Sequence, residues 1–169
     1  MAKTIGELIE MINVEKNRDK LFRWYQNAHT KNQPEIMTAA FKQAISLRAK
    51  GFDAKDDFED AVFHALAGYE IALSIKNEKR ATATRTRGLI KRREPLKAMK
   101  YLMNSSDEKF GLKTLTAMKL PEFTFESVVV THHKMFTDLE VLEAQIRLNT
   151  IFQNRPNDFI YPKLVRNIF

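Results

Sequence analysis

The chain has 169 residues, no cysteine, and a hydrophobic content of 44% that includes twelve phenylalanines. These values exclude disulfides and thiolate metal centres, and they predict a single packed domain over residues 1–169 rather than a disordered chain. The net charge of +7 is unevenly spread: Lys76 to Lys100 holds ten bases and two acids, a net +8, while the other 18 bases and 19 acids nearly cancel.

The opening residues, MAKTIGELIEMI, mix charge into the apolar run and lack the uninterrupted core of a signal peptide. Ile5, Leu8, Ile9 and Ile12 instead recur at helical spacing, and Thr4 with Glu7 forms a capping box in front of them. Leu21, Trp24, Tyr25 and Ala28 predict a second helix closing near Lys31–Asn32. A third starts around Pro34, buries Ile36, Ala40, Ala44 and Leu47, and stops at Gly51. Asp53 is the predicted N-cap of the longest helix, whose stripe is Phe58, Val62, Leu66, Tyr69 and Leu73.

Within the basic block the pattern predicts one helix near 83–93 and another from Pro95, carrying Leu96, Met99 and Leu102. Pro95 separates them, because the residue before a proline is driven out of the helical region. Asn104–Lys109 reads as a loop, with Ser105 and Glu108 capping a helix over Leu112–Met118. Phe123–Thr131 alternates like a strand, but a lone strand has no partner for its backbone groups, so a helix is expected. Thr137 and Glu140 make a further capping box for a helix reaching about Gln153, and Arg155–Phe169 forms an irregular arm with a short turn after Pro162. The expected fold is all-α, a compact bundle of about eight helices. No stretch approaches the length of a membrane span, and a cytoplasmic location is expected.

The basic block carries the functional expectation. Arg85 and Arg92 share one helix face, Arg87 and Lys91 another, and Leu89 and Ile90 point away. Dense positive charge suits phosphates, and arginine adds bidentate hydrogen bonds. The candidate nucleic-acid contacts are Lys79, Arg80, Arg85, Arg87, Lys91, Arg92, Arg93 and Lys97, with Thr82, Thr84 and Thr86 as supplementary donors. Against this stands a plain solvated face, neutralised by Asp53, Asp56, Asp57, Glu59 and Asp60.

Other chemistry is weakly represented. His132 and His133 are adjacent and so diverge on a helix, and His64 four residues after Asp60 reads as a surface pair, so no metal site is expected. His132 reads as a packing residue. Glu15–Lys16 and Asp158 lack the sheet that nuclease carboxylates stand on, and no phosphate-binding loop, nucleophile elbow or dinucleotide turn is present. The chain therefore reads as non-enzymatic and without a cofactor. Trp24 and Tyr25, beside Arg23, are assigned to the core rather than to base stacking.

From Asp56 to Phe136 the order of features resembles a small helical domain of bacteria and phages that occurs alone or attached to nuclease-type proteins. The resembling elements are Asp57-Phe58, Tyr69-Glu70, Arg85-Thr86-Arg87, Gly111-Leu112, Leu115, Met118-Lys119-Leu120, Phe125-Glu126, Val128–Val130, His132 and Phe136. The resemblance implies an accessory module in DNA-related systems and brings no catalytic residues. The resulting expectation is a nucleic-acid-binding accessory or regulatory module, with DNA the leading partner. The alternative is an adaptor or inhibitor whose basic face docks an acidic protein.

Overall fold

The computed structural model describes residues 2–104, 109–153 and 161–169; among them are nine α-helices, three 3-10 turns and no strand. Helix α1 (Ile5–Val14) starts at the predicted capping box: Thr4 accepts from the Glu7 amide while Glu7 accepts from the Thr4 amide. Helix α2 (Arg18–Thr30) is capped by Asn17, which accepts from two amides of the first turn. Helix α3 (Pro34–Ala49) begins on its proline, whose missing N–H would have been unpaired there anyway.

The end of α3 departs from expectation. Gly51 does not stop it by turning left-handed; the helix tightens into a 3-10 turn, Lys50–Phe52, and the left-handed residue is Asp53, at φ 55°. With its backbone so placed, Asp53 does not cap the next helix. Asp56 does, accepting from the Glu59 amide at 2.7 Å, and α4 runs Asp57–Lys76.

Helix α4 is buried on most sides. Its Ala67 and Ile71 belong to a first hydrophobic cluster with α1–α3, and its Phe58, Val62 and Leu66 belong to a second. The second cluster is completed by α5 (Thr84–Arg93), α6 (Pro95–Asn104), α8 (Phe125–Thr131) and Ala144 of α9 (Asp138–Gln153). Helix α7 (Lys109–Ala117) contributes Leu115 to the first. The predicted cap by Ser105 and Glu108 lies outside the described residues.

The ambiguous stretch is helical, as the missing partner strand required. A 3-10 turn, Pro121–Phe123, leads to Thr124, which caps α8 by accepting from Ser127 at 3.2 Å. Gly68 permits α4 to pass this turn closely: a Cβ there would lie 2.8 Å from the Phe123 carbonyl oxygen. The capping box of Thr137 and Glu140 opens α9.

Residues 161–169 are irregular, as expected of the arm, yet they are core-forming. Tyr161, Ile168 and Phe169 are buried in the first cluster, with Phe169 edge-on to Phe41 at 5.2 Å and the Tyr25 hydroxyl donating to the Pro162 carbonyl. Among the described residues no helix is long and apolar enough to cross a membrane.

Candidate nucleic-acid interface

The basic segment is held by one carboxylate. Glu70 lies in the apolar run of α4 and is fully buried, where an unpaired charge would be prohibitive. The Arg87 guanidinium takes it side-on, Nη2 donating to Oε2 at 2.6 Å and Nε to Oε1. The Ala83 amide also donates to Oε1, at 2.9 Å. Arg48, 5% exposed, brings Nη1 within 3.6 Å of Oε2 and donates to the carbonyls of Ala81 and Ile168. One turn on, the Ser74 hydroxyl donates to the Glu70 carbonyl and accepts from the Ala81 amide. Thus α4 fixes both the link before α5 and the first half of α5 itself.

These contacts set the ionisation of the arginines. Burial pulls Arg48 down to about 10, with Glu70 opposing the fall, whereas hydrogen bonding to Glu70 raises Arg87. Arg80 is lowered, first by burial and next by the neighbouring Arg18.

Helix α5 is strongly two-sided. Thr86, Leu89 and Ile90 are buried, while Arg85, Lys91, Arg92 and Arg93 are exposed. Lys79 and Arg80 are exposed in the link, and Lys97 is exposed on α6. Seven of the eight predicted contacts therefore lie on the surface of one continuous segment. Arg87 is different: it is half-buried, spent on Glu70, and its guanidinium sits 4.6 Å from the Phe52 ring centroid. Thr86 is buried, which removes it from the supplementary donors; Thr82 and Thr84 are exposed.

Neutralisation by the nearby acids is limited. Asp56 caps α4, Asp60 faces His64 at 3.3 Å, and among the described residues none of the five acids pairs with the basic segment. Lys97 meets Glu94 at 3.5 Å, an exposed contact of little energetic weight. Arg85, Lys91 and Arg92 have no carboxylate partner among the described residues. His132 packs against Phe58 at 5.4 Å, in its expected place, and no group of three metal-ligating side chains occurs among the described residues.

Three contributors escaped the sequence reading. Glu70 is a lone charge inside an apolar run, a signal that marks a buried charge without identifying its partner, whereas Arg48, two residues from Lys50, carries no such signal. Tyr101, 51% exposed on α6, lies under the Arg93 guanidinium at 4.8 Å, placing an aromatic ring on the basic side. No family model, no curated protein and no solved structure matches the chain.

Proposed function

We propose that the chain is a nucleic-acid-binding accessory module that grips the phosphate backbone through α5 and its flanks. The observation that carries this is the state of Arg85, Lys91 and Arg92. They stand exposed and, among the described residues, without carboxylate partners, on a helix whose position is fixed by the pairing of Arg87 with buried Glu70. Cations held on a rigid element meet a regular polyanion at little further entropic cost, and they release its condensed counterions. DNA is the first ligand to assay, given the resemblance to accessory domains of DNA-related systems.

The test is the salt dependence of binding to a duplex. Four to six phosphate contacts give a slope of log K against log salt of roughly −4 to −5. Replacing Arg85 and Arg92 together by Ala should shallow it by about two units, alike for unrelated sequences. Unchanged binding removes these arginines from the site.

The second reading is an adaptor that docks an acidic protein. Its own observation is on α9, where Leu139, Leu142 and Ile146 follow helical spacing and are each more than half exposed. That reading expects no nucleic-acid binding even at about 50 mM salt.

A further inference from the structure

Beside the basic face, between the start of α4 and α5, lies a cavity of about 630 Å³, within the range of roughly 300–1,000 Å³ usual for small-ligand sites. Its apolar surface comes from Phe52, Phe63, Leu66, Ile90 and Pro95. Arg87 and Lys91, one turn apart, line the α5 side with Glu94 after them, and Asp53, Lys55 and Glu59 line the opposite side. Cations and carboxylates thus face the cavity from both sides, which suits a ligand that carries both N–H donors and a phosphate.

Two residues at this cavity hold backbone conformations that cost a side chain energy. Asp53 has φ 55°, and Glu94, which also lines it, has φ 66° with ψ 150° in a region populated almost entirely by glycine. Both are acids. Glycine would relieve both positions, so retaining a carboxylate at each favours a use for the carboxylate over stability. Asp53 makes no hydrogen bond or ion pair among the described residues, and Arg87 is already immobilised by Glu70.

We propose that this cavity binds a single nucleobase bearing an amino group, with Asp53 and Glu94 accepting its N–H donors and Lys91 meeting the attached phosphate. The ring lies among Phe63, Leu66 and Ile90. This rests on the phosphate-binding reading, because Lys91 belongs to both surfaces. A base paired within a duplex cannot enter, so the site favours single strands. Cytosine offers its amino group to a carboxylate, whereas thymine presents an acceptor at that position.

The two sources of such a base, a strand or a free nucleotide, are distinguished by parallel titrations. Oligo(dC) and oligo(dT) of about twelve nucleotides, and the duplex of equal length, are compared by fluorescence anisotropy. Cytidine and thymidine monophosphates are compared by calorimetry. Wild type is expected to bind oligo(dC) about tenfold more tightly than oligo(dT), and either strand more tightly than the duplex. Asp53→Gly, and separately Glu94→Gly, should abolish the preference for dC while the salt slope and melting temperature hold or rise. Discrimination between strands with feeble monophosphate binding assigns an extruded base; discrimination between monophosphates alone assigns a free nucleotide. Equal affinity for dC, dT and duplex, with the steep salt slope kept and no monophosphate preference, overturns the cavity and leaves the phosphate reading standing. Monophosphate discrimination without any strand binding at about 50 mM salt overturns the phosphate reading alone. Binding of neither overturns both, and a preference unchanged in the two glycine variants removes the carboxylates from the site.

Discussion

Glu70 and Arg87, seventeen residues apart in sequence, meet in a side-on pair whose carboxylate is wholly buried and whose guanidinium reaches the surface beneath Phe52. The pair turns a basic helix with a mostly polar sequence into a fixed part of the body. Removing the carboxylate leaves Arg48 buried with a charge and no counter-ion. Glu70→Gln should therefore destabilise the fold by about 3–5 kcal/mol, the scale of a broken buried ion pair. Urea denaturation checks this; a loss below about 1 kcal/mol would mean that solvent compensates the arginines.

Gly88 offers the opposite experiment. It lies inside α5, and a Cβ there would meet only the Arg92 Nη2, at 4.0 Å. Gly88→Ala should stabilise the protein by about 0.5–1 kcal/mol, by reducing the freedom of the unfolded chain. Binding at the basic face should be unaffected. A lower melting temperature would show that α5 needs to deform there.

At Gly68 the same substitution has the reverse sign. The added Cβ would lie 2.8 Å from the Phe123 carbonyl oxygen and 2.9 Å from the Phe123 Cβ, both rigidly placed. Gly68→Ala should cost about 1–3 kcal/mol through displacement of the turn that precedes α8. Thermal denaturation of the two alanine variants side by side separates helix propensity from packing.

A pH dependence follows from Glu126. Burial holds its carboxyl above the ordinary carboxylate value, and Arg147, 3.7 Å away, offsets part of the rise. The folded state thus binds this proton more tightly than the unfolded chain. Its contribution to stability is complete below the unfolded value, near 4.5, and is lost as pH rises through the folded one. Glu126→Gln removes that loss, so the variant should gain on wild type across this window in urea titrations at stepped pH. A constant difference between the two would contradict the assignment.

The helices were legible because most of them bury one stripe, and their caps were legible where a single candidate existed, as at Thr4 and Thr137. Composition alone does not locate the start of α4, because Asp53, Asp56 and Asp57 all qualify as caps. The tightening of α3 into a 3-10 turn decides among them, since it forces Asp53 left-handed and leaves Asp56 extended. Charge located the candidate interface, but composition cannot distinguish Arg85 from Arg87. One faces solvent and the other faces Glu70, a partner outside the local sequence window. Trp24 and Tyr25 make the same point. The helical stripe assigns both to the core, yet only Tyr25 is fully buried, with Trp24 packed partly exposed at the edge of the first cluster.

Helix α4 supplies side chains to both hydrophobic clusters, Ile71 to one and Leu66 to the other. Neither half can open without baring a wall of its neighbour, so the two should melt in a single transition. Amide exchange ought to rank accordingly. The α4 amides should exchange only through global unfolding, while those of α1 and α9, each packed on one cluster, exchange through smaller openings at lower free energy.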